Sequence, residues 1–172
     1  MEAVRILLAN AHPVVRSSLR LLLEREPGFR IVGEAANGRE AVVLADYTAP
    51  DIALLDFNLP QLNGIATARE ISLRQPHPGI VFIGVFADRG YVAEAFKAGA
   101  RGYVSGESAQ LDLIPAVRAL KRGGAFLSPA IGSALLEEYE KENSAQDAPR
   151  IGTLLRRLGL SEAVVDSITE GT

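Results

Sequence analysis

Asp56 closes a short apolar run, Ile52-Ala53-Leu54-Leu55, and is the residue best placed to do chemistry in this chain. A carboxylate there can help hold a divalent cation, or it can simply accept hydrogen bonds from loop amides. A reaction needs a second group. His12 follows another apolar run, Val4 to Ala9, but His12 and Asp56 alone do not define a base–nucleophile pair. The His12-Pro13 pair is read as loop-structural, and His77, between Pro76 and Pro78, as solvent-exposed. The chain has no cysteine, which excludes a thiol nucleophile, a disulfide scaffold and a Cys-ligated metal. Gly99, Gly102 and Gly106 are helix-end and loop positions, because no G-x-x-x-x-G-K-[ST] segment exists. An enzyme is therefore not expected.

The elements that position Asp56 follow from periodicity. The apolar runs at Val4–Ala9, Ile52–Leu55 and Ile80–Ile83 read as strands buried on both faces. Arg30–Glu34 and Gly102–Val104 read as shorter strands. Helical patterns lie between them. Pro13 opens the first, with Val15, Leu19, Leu22 and Leu23 on one face and a stop at Pro27-Gly28. Asn37-Gly38 opens the second, and Gly64–Arg74 forms the third. Asp88 caps the fourth, which Gly99 ends, and Leu111–Arg122 forms the fifth. Strand–helix alternation implies a parallel sheet covered on both faces. The expected fold is α/β, a flavodoxin-like (βα)5 doubly wound sheet of order 2-1-3-4-5 with a C-terminal helical extension. Its crevice lies beyond the ends of the first and third strands, which deliver Asn10, Ala11 and Asp56. The fourth and fifth strands add Gly84 and Gly106.

With those positions filled, the chain resembles a response-regulator receiver domain of the NarL/FixJ (LuxR-type) subfamily. The matching stretches are His12 to Arg16, Val32 to Ala41, Leu54-Leu55-Asp56 with Leu59-Pro60 and Gly64, Ala98 to Tyr103, and Gly123-Gly124 with Leu127 to Ala130. The resemblance implies a site of five residue types. An acidic pair after the first strand holds Mg²⁺, a third-strand Asp accepts a phosphoryl group, a Thr or Ser ends the fourth strand, and a Lys ends the fifth. Mg²⁺ takes hard oxygen ligands, and phosphoryl transfer is mostly positioning and charge neutralisation. Here Asp56 takes the phospho-acceptor position. Asn10-Ala11 replaces the acidic pair, Gly84 the hydroxyl and Gly106 the Lys. Asn10 offers one neutral oxygen beside Asp56 as a weak remnant of a metal site. Tyr103 matches the family's switch aromatic and, with glycine at 84, reads as packing. The resemblance so altered implies an atypical, degenerate receiver in which no cofactor is expected and Mg²⁺ binding is weak or absent.

Eighteen Lys and Arg stand against 21 Asp and Glu over 172 residues, a net charge of −3. That balance argues against a chain-wide nucleic-acid surface. Arg118, Lys121 and Arg122 read as a solvated helix face. No apolar run is long enough to span a bilayer and Met1–Leu8 lacks a signal-peptide pattern, so a cytoplasmic protein is expected. The expected division is a receiver over 1–127, a linker helix over 128–142, and a linker with a short helical tail over 143–172. Ser128-Pro129 is a helix start, Asn143–Arg150 reads as linker, and Gly159 separates two short helical segments, Ile151–Arg157 and Ser161–Thr169. Leu155–Val165 resembles the turn of a helix-turn-helix, and Leu160–Gly171 alternatively resembles the opening helix of the family's DNA-binding domain. The 28 residues after Ser144 are too few for that domain, so DNA binding is expected only if a full helix-turn-helix follows residue 172. The expected function is the receiver part of a NarL/FixJ-type transcriptional regulator. It would act through protein contacts and homodimerisation without conventional phosphorylation, with a histidine kinase or another regulator as partner. Two alternatives remain: a stand-alone interaction or small-ligand-binding module using the vacated pocket, and residual phospho-acceptor activity at Asp56.

Overall fold

A computed structural model describes residues 2–74, 76–85, 89–142 and 150–170, with the Glu142 side chain excepted. Six parallel strands form one sheet of order β2-β1-β3-β4-β5-β6. They are β1 (Val4–Ala9), β2 (Phe29–Ala35), β3 (Ile52–Asp56), β4 (Gly79–Gly84), β5 (Gly102–Ser105) and β6 (Phe126–Leu127). The helices are α1 (Pro13–Glu24), α2 (Gly38–Thr48), α3 (Gly64–Ser72), α4 (Arg89–Lys97), α5 (Ala109–Lys121), α6 (Pro129–Glu142), α7 (Ile151–Arg157) and α8 (Glu162–Glu170). None of them is long and apolar enough to cross a membrane.

The apolar runs work as the periodicity predicts, because alternate residues feed opposite faces of the sheet. Ile6, Leu8, Ile52, Leu54, Val81 and Val104 meet α1 and α5 on one face. Leu7, Ala9, Ala53, Leu55, Ile80, Phe82 and Tyr103 meet α2, α3 and α4 on the other. Each fully buried aliphatic side chain contributes about 1.5–3 kcal/mol, so strand register is strongly held. Caps fix where the helices begin. The Asn37 side chain accepts from the Glu40 amide at 2.9 Å, and Asn63 accepts from the Ala66 amide at 2.9 Å.

The sixth strand is the main addition to the expected topology. Two residues are too few to carry a periodic signal, and β6 exists because β5 leaves an edge that Phe126 and Leu127 pair with. Val15, expected on the inner face of α1, is 44% exposed, whereas Leu19 and Leu23 are buried. The third helix stops at Ser72 rather than Arg74, and the fifth begins at Ala109 rather than Leu111. The expected cap Asp88 and most of the linker expected over 143–150 lie outside the described residues.

Helices α6, α7 and α8 share one apolar core with the sheet. Ile131, Leu135 and Tyr139 form the expected α6 stripe, and Leu154, Leu155, Val164, Val165 and Ile168 continue it from α7 and α8. One polar tie joins the tail to the sheet edge, where the Ala125 amide donates to Ser167 Oγ at 2.6 Å. Gly159, at φ +85°, makes the turn between α7 and α8.

Candidate functional site

Asp56, Asn10, Ala11, Gly84 and Gly106 come together at the carboxyl ends of β1, β3, β4 and β5. The core on both faces aims those strands, and a close approach of α3 sets the loop after Asp56. A Cβ added at Gly64 would lie 2.5 Å from the Asp56 carbonyl oxygen, so only glycine lets the helix start there. The Gly64 amide donates to the Phe57 carbonyl at 3.0 Å and locks that approach.

The Asp56 carboxylate is partly buried and has neutral partners. Its Oδ1 accepts from the Asn58 amide at 3.2 Å, and its Oδ2 accepts a long bond from Asn10 Nδ2 at 3.4 Å. Asn10 is 6% exposed. Its side-chain oxygen accepts from the His12 amide at 2.8 Å, and its backbone carbonyl accepts from Arg16 Nη1 at 2.7 Å. Asn10 therefore turns its NH₂ group toward Asp56 and spends its oxygen on the loop. Ala11 has no donor atom to offer.

Gly84 and Gly106 are open positions. A Cβ at 84 would meet only the Phe57 Cβ, at 3.7 Å, and a Cβ at 106 would meet the Gly84 carbonyl oxygen at 3.9 Å. Neither glycine lies in the left-handed backbone region. Packing and backbone geometry thus leave room for a side chain at both positions. Among the described residues no group of three or more His, Cys, Asp or Glu could hold a metal ion. One carboxylate, an inward-turned amide and a methyl group do not fit Mg²⁺, which needs several hard oxygens around it.

His12 is exposed and stands just before α1, where its carbonyl accepts from the Arg16 amide at 2.9 Å. His77 is exposed. Tyr103 is 1% exposed and packs in a ring cluster with Phe57 and Phe82. Arg118 and Lys121 pair with Glu26 and Asp51 on the solvated face of α5. A groove of about 360 Å³ opens beside Phe57, walled by Asn58, Asn63, Arg69, Tyr91 and Glu94 among others, and Asp56 is not in its wall.

Two features escape sequence reasoning. Ser108 Oγ and Ser128 Oγ both donate to Asp112 Oδ2, at 2.6 and 2.7 Å, and Ser128 Oγ accepts from the Ser105 amide at 3.0 Å. This cluster ties the loop after β5 to the start of α6. Ser128-Pro129 signals a helix start, but nothing in the sequence links it to Asp112. The second is the ring of Phe57, whose neighbours lie on three different elements.

The model for the response regulator receiver domain matches residues 6–118. The chain belongs to that family. As a receiver it is a signalling module rather than an enzyme. It is 30% identical over 151 residues to the transcriptional regulatory protein DegU of Brevibacillus brevis, covering 87% of this chain and 64% of that protein. It is 34% identical over 134 residues to the nitrate/nitrite response regulator protein NarL of Escherichia coli K12, covering 78% of this chain and 62% of the relative. The chain thus spans somewhat under two thirds of those relatives. Among solved structures it matches a LuxR-family two-component response regulator from Aurantimonas sp. SI85-9A1 at 36% identity and a TM-score of 0.75. That match covers 80% of this receiver and 99% of the other chain.

Proposed function

We propose that this receiver is the signalling part of a NarL/FixJ-type transcriptional regulator that acts in the cytoplasm without conventional phosphorylation of Asp56. The orientation of Asn10 carries this reading. At the position of a metal-binding carboxylate, its NH₂ group faces Asp56 and its oxygen is engaged by the His12 amide. A charge-assisted hydrogen bond contributes about 1.5–3 kcal/mol. A site lacking the Lys and both metal carboxylates therefore forgoes several such interactions, and each 1.36 kcal/mol is about tenfold in rate. Output then runs through protein contacts with a histidine kinase, another regulator or a second copy. The face that fits a second copy is α1 with the start of α5. Val14, Leu21 and Leu111 are 79%, 64% and 78% exposed there, beside a groove of about 350 Å³ lined by Ser18, Leu19, Leu21, Leu22, Arg25 and Gln110. The test is incubation with a small phosphodonor and Mg²⁺, read by intact mass. No stoichiometric gain is expected; an Asp56-dependent gain of one phosphoryl group overturns the proposal.

A further inference from the structure

Phe57 follows Asp56 directly, and hydrogen bonds clamp the backbone that carries it. The Asp56 carboxylate accepts from the Asn58 amide at 3.2 Å, spanning Phe57, and the Phe57 carbonyl accepts from Gly64 at 3.0 Å. The ring sits 5.0 Å, centroid to centroid, from Tyr91 of α4 in an edge-on arrangement. It lies 5.3 Å from Phe82 of β4 and 6.3 Å from Tyr103 of β5. It also stands beside the position where the family's hydroxyl would be, since a Cβ at Gly84 would lie 3.7 Å from the Phe57 Cβ. Helix α4 is tied onward to α6, because the Arg89 amide donates to Glu138 Oε2 at 3.2 Å.

We infer that Phe57 is the positioning residue of this receiver, coupling the charge state of Asp56 to the placement of α4 and, through Arg89 and Glu138, of α6. The inference rests on the receiver assignment but not on whether Asp56 is phosphorylated. The charged carboxylate holds the Asn58 amide, and weakening that bond frees the backbone on either side of Phe57. Aromatic rings in edge contact within a close-packed core do not yield independently of one another. A shift of Phe57 therefore displaces Tyr91 and the first turn of α4. Glycine at 84 places no side chain beside the Asp56 loop, and the Phe57 ring next to it makes the contacts with β4, β5 and α4. Phe57 touches no reacting atom and acts only through its neighbours.

Hydrogen–deuterium exchange on the full chain tests this as a double-mutant cycle of Asp56→Asn and Phe57→Leu. Asp56→Asn alone is expected to change amide exchange in α4 about threefold or more, a size typical of coupled neighbours. A smaller change in the same direction is expected in α6 and none in α2. In the Phe57→Leu background the α4 response to Asp56→Asn is expected to vanish. Tyr91→Leu, at a side chain 44% exposed, is expected to abolish it too, and this variant carries the test if Phe57→Leu fails to fold. An α4 response of equal size in the Leu backgrounds overturns the inference, as does no α4 response to Asp56→Asn in the parent. Neither outcome bears on the mass-gain experiment, so the two proposals fail separately.

Discussion

On the proposed reading, supplying the four groups that the resemblance calls for should raise phosphorylation by an amount that ordinary hydrogen-bond energies set. The variant combines Asn10→Asp, Ala11→Asp, Gly84→Thr and Gly106→Lys. The first neighbours of new side chains at 84 and 106 lie at 3.7 and 3.9 Å, ordinary contact distances, so neither should strain the fold. Asn10→Asp removes the NH₂ group that faces Asp56 and can keep the bond to the His12 amide. The hydroxyl and the ammonium each return a charge-assisted hydrogen bond to the transferring oxygens, about 1.5–3 kcal/mol apiece. Their combined minimum of about 3 kcal/mol corresponds to roughly 100-fold in rate, before the recovered metal contributes. Because groups in one site are not additive, that figure applies to the set and not to its members. The variant has three close carboxylates, so it should be less stable than the parent without metal. Mg²⁺ should then stabilise it, by about 2.7 kcal/mol at a hundredfold excess over the dissociation constant, raising its unfolding midpoint and leaving the parent's unmoved. Phosphodonor kinetics read by intact mass, with thermal unfolding alongside, provide the assay. A folded variant that gains less than about tenfold, or a parent that is already stoichiometrically phosphorylated, would refute the reasoning.

Leu155→Ala, at a side chain 0% exposed in the shared core, should cost about 2–5 kcal/mol in denaturant unfolding. A loss below about 1 kcal/mol would mean that α7 does not share the receiver core. Leu21→Arg and Leu111→Glu should each convert a sedimenting dimer to monomer with circular dichroism unchanged, and a parent monomeric up to about 0.1 mM rules out the α1–α5 face. Burial pushes the Asp51 carboxyl up, but the Arg5 amide and the Lys121 ammonium outweigh it and hold the group below its ordinary 3.8. The charged form is thus favoured on folding. Its stabilisation should be complete above about pH 4 and fade as pH falls through the depressed value, so Asp51→Asn should flatten acid unfolding in that range. An unchanged acid profile would remove Asp51 from that account.

The sheet was readable because β1, β3 and β4 are buried on both faces, and a continuous apolar run has few other uses in a chain of this size. The α2 start was readable because Asn37 acts locally, through its own helix. Strand β6 was not, since its existence depends on the edge that β5 presents rather than on its own two residues. The α7 and α8 segments were readable as helices, but their destination was not, because the surface that receives them comes from β6, α4 and α6. At the site, backbone topology alone brought Asp56, Gly84 and Gly106 together. The turning of Asn10, the Asp112 cluster and the reach of Phe57 depend on partners 16 to 46 positions away, and no local pattern encodes them.

The site and the scaffold make separate demands on this sequence. The strand ends are aimed by apolar residues on two faces of the sheet and by the approach of α3 at Gly64, and none of those contacts involves a metal or a phosphoryl group. Two extra carboxylates beside Asp56 would repel one another unless a cation joined them. Asn10 and Ala11 remove that repulsion, and the Asn10 amide adds a weak bond in its place. The receiver fold therefore does not depend on a metal or a phosphoryl group at Asp56. On the proposed reading no ligand at Asp56 biases α4, since a group with no differential interaction cannot shift an equilibrium. On the same reading a signal at Asp56 would have to pass through a mechanical connection, and the proposed one is the backbone of Phe57.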